Sequence, residues 1–211
     1  MVIVIGGMIG LGKTTTASLL SKRLNLPVYY ESVEGNKVLP LFYKASEEEK
    51  ERNRYPFLLQ MSFLSSRFDA IRKALCQDNA ILDRSIYEDH YFAKKNHDLG
   101  NISDLEMDVY DKFLNQMLDV LTALPKKSPD VMVYLKGSFE TVLKRIKERG
   151  RSFELGDELV DYYHFLWKDY DEWVHSSYKA SPMIVVDVDQ VDIVNNPSDF
   201  DLLVEEIEKY R

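Results

Sequence analysis

The 211-residue sequence predicts an α/β fold, a central parallel five-stranded sheet flanked by helices, and three observations carry that expectation. Short apolar runs rich in Val and Ile alternate with longer segments of helical periodicity, the pattern of strand-helix-strand crossovers. The first run, Val2-Ile3-Val4-Ile5, leads straight into a glycine-rich turn followed by a helix. The second and third runs close on an acidic residue, Glu31 and Asp83, as strands do when their C-terminal ends face a ligand crevice.

The turn is the most informative stretch. From Gly7 it fits G-x-x-x-x-G-K-[ST], with Gly7, Gly12, Lys13 and Thr14 at the defining places and Met8, Ile9, Gly10 and Leu11 between them. Strand before and helix after, with Ala17, Leu20 and Leu24 at helical spacing, give the motif the flanks it needs. In that geometry backbone N–H groups turn toward phosphate oxygens and the helix N-terminus adds partial positive charge. The stretch from Gly7 to Thr15 is therefore expected to bind a nucleoside triphosphate, with Lys13 on the terminal phosphates and Thr14 on Mg²⁺. The class expected is a P-loop NTPase.

Pro27 to Tyr30 reads as a second strand ending at Glu31, and Ser32 to Glu51 as loop or short helix with an apolar knot at Leu39, Leu41, Phe42 and Tyr43. A long helix begins at Arg54, because Phe57, Met61, Leu64, Phe68, Ile71 and Leu75 recur at helical spacing. Gln60 and Arg67, seven apart, share the edge of that stripe, and Cys76 is expected in the core at its end. Ala80-Ile81-Leu82 reads as a strand closing in Asp83-Arg84-Ser85, with Asp83 at the Mg²⁺ position of a Walker B element. Helix is expected through Phe92, then from Asp104 to Leu124 with Leu105, Val109, Phe113, Met117, Leu118 and Leu121 inward. Val131 to Leu135 and Met183 to Val188 are strands; Ser138 to Arg149, Asp157 to Tyr178 and Asp199 to Tyr210 are helices. Arg145 and Arg149 stand one turn apart, and Arg151 follows after Gly150, an arginine-rich lid over residues 145 to 157.

Length suits a single domain spanning 1–211. A formal net charge of −8 argues against nucleic acid as a partner. The single cysteine excludes an internal disulfide, and no apolar run approaches a membrane span, so a soluble cytoplasmic protein is expected. No Asn-Lys-x-Asp run reads guanine as a switch GTPase would. Transfer of a phosphoryl group to a small alcohol is the better account, with Glu31 taking the proton and Arg84 opposing the developing charge.

These motifs resemble the deoxyribonucleoside kinases of the deoxycytidine, deoxyguanosine and deoxyadenosine kinase group. The resemblance rests on Gly7-Met8-Ile9-Gly10-Leu11-Gly12-Lys13, Glu31-Ser32-Val33, Asp83 to Asp89, and Arg145-x-x-x-Arg149-x-Arg151-x-x-Glu154. It implies Glu31 as base toward the nucleoside 5′-hydroxyl, lid arginines on the phosphates, and Glu154 with Tyr43 on the sugar 3′-hydroxyl. It also implies Gln60, Arg67 and Asp89 on the base, MgATP as donor, and a homodimer, with a heterodimer also compatible. Ser32 and Asn36 stand where many relatives carry proline and tryptophan, leaving room that suits a purine, and the chain resembles the short bacterial kinases of the family, which implies deoxyadenosine as the first substrate. Deoxyguanosine and deoxycytidine remain open. Two other readings stand beside this one: a nucleoside monophosphate kinase such as thymidylate kinase, which usually has Asp-Arg-Tyr at residues 83–85, and a non-catalytic ATP-binding subunit.

Overall fold

In the computed structural model, which describes residues 1–31, 33 and 35–211 and only the backbone of Glu158, the expected sheet is present. β1 (Val2–Gly7) pairs in parallel with β3 (Ala80–Asp83) on one side and β4 (Val131–Lys136) on the other. β2 (Val28–Tyr29) borders β3 and β5 (Met183–Asp187) borders β4, giving the parallel order β2-β3-β1-β4-β5.

Alternation along β1 builds two cores, because successive side chains leave a strand on opposite faces. Val2 and Val4 join Leu64, Ile71 and Leu75 of α4 (Tyr55–Gln77) and Tyr110, Leu114 and Leu121 of α6 (Asp104–Thr122). Ile3 and Ile5 face the other way. They meet Ala17 and Leu20 of α1 (Lys13–Leu24), Val142 and Ile146 of α7 (Phe139–Arg149), and the C-terminal helices α8 (Glu158–Trp167), α9 (Tyr170–Ser177) and α10 (Pro197–Glu208). The apolar knot forms a third cluster, Leu39 and Phe42 of α2 (Leu39–Lys44) against Leu59, while Leu41 faces solvent. The acidic run Glu47 to Glu51 lies in the short α3 (Glu47–Asn53), whose start carries a full capping box from Ser46 and Glu49. After Asp83 the chain makes a 3₁₀ turn, Ile86–Glu88, and continues as α5 (Asp89–Asp98).

Four expectations need correction. Cys76 is exposed, because the last turn of α4 turns Ala74 and Leu75 into the core and leaves Cys76 on the opposite face. The segment expected as one helix from Asp157 to Tyr178 breaks into α8 and α9, with Lys168 and Asp169 between them. In α6 the inward face is Met107, Tyr110, Leu114 and Leu121, so Leu105 and Phe113 from the expected stripe point outward. The second strand is only two residues long, as an edge strand can be. Ser32 lies outside the described residues.

Candidate active site

α1 starts at the P-loop without any side-chain cap. Its N-cap is Gly12 at φ 92°, so the first-turn N–H groups are left for an outside acceptor. Two other glycines are required by close packing. A Cβ on Gly7 would stand 2.6 Å from the Leu135 carbonyl oxygen, and one on Gly10 would stand 2.9 Å from that of Val142. Gly10, Gly12, Lys13, Thr14 and Thr15 line one large cleft, Ile9 lines a second cavity, and Met8 and Leu11 are buried in the core. Lys13 folds over its own loop, donating to the carbonyls of Gly7 at 3.0 Å and Met8 at 2.8 Å. Burial lowers its ammonium to about 7, helped by the Arg84 charge and only partly opposed by Glu31, Asp83 and Glu88.

At the C-terminal ends of β2 and β3 the charged residues converge. Arg67 of α4 bonds Glu31 with Nη2 and Asp89 with Nη1, and Arg84 places Nε 3.5 Å from Glu31. Burial pushes the Glu31 carboxyl up, but Arg67, Arg84 and Lys13 together outweigh it and hold it at about 2. Glu31 is thus ionised. Arg84 has the opposite balance: burial lowers it, and Glu88 and Glu31 more than restore it. Its guanidinium stacks 4.6 Å from the Phe92 ring, as Arg67 does 4.5 Å from Phe63.

The second cavity is narrow, about 90 Å³, and lies between α2, α4 and the lid. Glu31, Tyr43, Gln60, Arg67, Arg84 and Glu154 all line it, which brings together nearly every residue expected on the acceptor. Asp89 stands behind Arg67 rather than on the wall, and Asn36 turns inward to accept from the N–H groups of Val38 and Leu39. Lys13, Glu31, Arg149 and Arg151 border both this cavity and the P-loop cleft. A group held in one can therefore meet a group held in the other beside Glu31.

The lid forms because Ser138 caps α7 and Gly150, at φ 70°, ends it. Arg149 and Arg151 both bond Glu154, which is buried, while Arg145 donates to the Leu11 carbonyl at 2.9 Å. All three arginines line the P-loop cleft. Thr14 Oγ1 donates to Asp83 Oδ2 at 2.6 Å, and Asp83 Oδ1 is buried without a partner among the described residues. Burial raises the Asp83 carboxyl against the pull of Lys13. One hydroxyl and one carboxylate with a spare oxygen fit Mg²⁺, which keeps waters and takes its remaining ligands from phosphates.

Sequence reasoning missed three features. Glu88, fully buried, accepts from Gly7 N–H, Arg84 and Tyr170; inside its motif it reads as a helix acid. Phe63 and Phe92 sit among ordinary core aromatics in the sequence. The turn after β5, with Asp189 and Asn195, borders the P-loop cleft, and its place after a parallel strand was the available signal.

A parallel sheet, a glycine-rich phosphate cradle and an arginine lid closing on a carboxylate-lined acceptor cavity define a P-loop phosphotransferase. The chain belongs to the deoxynucleoside kinase family, whose model matches residues 3–210. It is 42% identical over 209 residues to a deoxyguanosine kinase of Lactobacillus acidophilus, covering 98% of this chain and 89% of that one. It is 41% identical over 198 residues to a deoxyadenosine kinase of the same organism, covering 92% and 89%. The solved structure of deoxyadenosine kinase from M. mycoides with bound dATP superimposes with a TM-score of 0.80 at 30% identity, covering 99% of this chain and 100% of that one. The protein is a deoxynucleoside kinase, which sets aside the monophosphate-kinase and non-catalytic readings.

Proposed function

We propose that this enzyme transfers the γ-phosphoryl group of ATP to the 5′-hydroxyl of a deoxyribonucleoside, deoxyadenosine first, for nucleotide salvage. The observation that carries the mechanism is Glu31, ionised by its three cations and bordering both cavities. Glu31 takes the hydroxyl proton as the oxygen attacks phosphorus. Arg84, Arg149 and Arg151 oppose the charge on the transferring group, and the lid excludes water. Thr14 and Asp83 would hold Mg²⁺, which neutralises the donor phosphates.

Base choice follows from hydrogen-bond supply. Both Nη atoms of Arg67 are held by carboxylates, so its fork is not free to grip the paired acceptors O6 and N7 of guanine. Gln60 offers one donor and one acceptor, the complement of an adenine edge. Cytosine presents the same pair, and deoxycytidine ranks next. The relatives divide between the two purines at nearly equal identity.

The outward stripe of α6, Leu105, Phe113 and Val120, supports a homodimer through paired helices. Among the described residues no helix is long and apolar enough to cross a membrane, which agrees with a cytoplasmic place.

Replacement of Glu31 tests the mechanism. Glu31→Ala is expected to lower kcat by about 10²- to 10⁴-fold, the usual loss of a general base, while ATP affinity by calorimetry stays near wild type. Turnover within about threefold of wild type removes Glu31 as base.

A further inference from the structure

Arg84 is held in an uncommon way. Its backbone has φ 71°, a left-handed conformation that a bulky residue keeps only where its surroundings enforce it. Its guanidinium is buried, and buried guanidinium groups need carboxylate partners. Two carboxylates face it, and they differ in kind. Glu31 is already bonded to Arg67 and gains a proton as the hydroxyl attacks. During that step its hold on Arg84 weakens. Glu88 is on neither cavity wall and exchanges no proton with substrate.

The Glu88 carboxylate is a junction. Its Oε1 accepts from Arg84 Nη1 at 3.2 Å, from the N–H of Gly7 at 3.2 Å, and from the Tyr170 hydroxyl of α9. Arg84 Nη2 closes the ring by donating to the Gly7 carbonyl at 2.8 Å. The first glycine of the phosphate cradle, the catalytic arginine and a C-terminal helix therefore meet around one oxygen. We infer that Glu88 is a positioning residue that fixes the direction of Arg84 and couples it to the P-loop whatever the protonation of Glu31, with Tyr170 anchoring it from α9. The inference rests on the proposed role of Arg84. A carboxylate that only fills the core would have no reason to contact both halves of the donor machinery.

Kinetics and side-chain NMR test it together on the whole enzyme. In Glu88→Gln, kcat with deoxyadenosine is expected to fall about 10- to 100-fold, the scale of a misplaced catalytic group, with KM for ATP moving less than about threefold. In an Arg84→Ala background the same change should cost less than about twofold, because residues acting through one group are not additive. Tyr170→Phe, which keeps the ring in place, should show the same pattern with a loss of about threefold to tenfold, and it stands in if Glu88→Gln does not fold. Wild-type kcat in a folded variant, or an equal loss in the Arg84→Ala background, overturns the inference.

The second readout does not need turnover. In ¹⁵N-arginine spectra the Arg84 Nη protons of the wild type should be resolved and slow to exchange, and in Glu88→Gln they should coalesce. Unchanged Arg84 signals in the variant overturn the brace. If the wild-type enzyme phosphorylates no deoxynucleoside, the reaction assignment fails while this spectrum still decides the position of Arg84.

Discussion

Single residues here carry charges that would be untenable alone. Arg67 and Asp89 are both buried and bonded, so Asp89→Ala, which removes one of the two carboxylates that hold Arg67, should destabilise the fold by about 1–3 kcal/mol in a denaturant titration, the cost of leaving a buried donor unsatisfied. Glu31 has its carboxyl lowered from 4.5 to about 2, so the stability it contributes is complete above pH 4.5 and is lost as pH falls through 2. Glu31→Gln should therefore flatten the stability profile across that window. Lys13 works in the other direction. With its folded value near 7 against 10.5, the unfolded chain holds a proton between those limits that the folded one lacks, and stability from this group rises with pH across them. Phosphates brought against Lys13 reverse the balance, so MgATP binding at pH 8 should take up about one proton, measured by calorimetry in buffers of different ionisation enthalpy. Uptake that persists in Lys13→Met would assign it elsewhere. Glu31, Arg84 and the lid arginines were legible because motif spacing places them. Glu88 was not, since Gly7 and Tyr170 lie far from it in sequence and meet it only when β1 and α9 come together, and the bond from Arg67 to Glu31 forms only when α4 docks beside the end of β2.

Elements set where those residues point. The P-loop lies against α7 at Gly10, where an added Cβ would meet the Val142 carbonyl and Ile146 and where φ is 86°. Gly10→Ala should weaken ATP binding and lower the melting temperature together, and an unchanged pair of values would show that the loop is not seated on α7. Ser138 accepts from the N–H of Thr141, so Ser138→Ala should cost about 1 kcal/mol. Long periodic helices such as α4 were readable from spacing alone. The break between α8 and α9 was not, because apolar residues keep helical spacing across Lys168 and Asp169 while Lys95 of α5 bonds Asp169 from outside. In α6 two apolar stripes compete, and only packing against α4 and α5 decides that Tyr110 and Leu114 turn inward.

At the scale of the molecule, the sheet order was open to sequence reasoning only as a class. Strands fix their neighbours through packed faces that no single run reveals. The outward stripe of α6 should bury itself in a second copy, so light scattering is expected to show a dimer that Phe113→Glu converts to monomer. The central claim is that the two cavities join a triphosphate donor to a deoxynucleoside 5′-hydroxyl at Glu31. Transfer of the labelled γ-phosphate of MgATP to deoxyadenosine, deoxyguanosine, deoxycytidine, thymidine and the four monophosphates tests it most directly, with Glu31→Ala alongside. Label is expected on deoxyadenosine before the other nucleosides, and none with the variant. Label on the monophosphates alone, or undiminished transfer by Glu31→Ala, would contradict it.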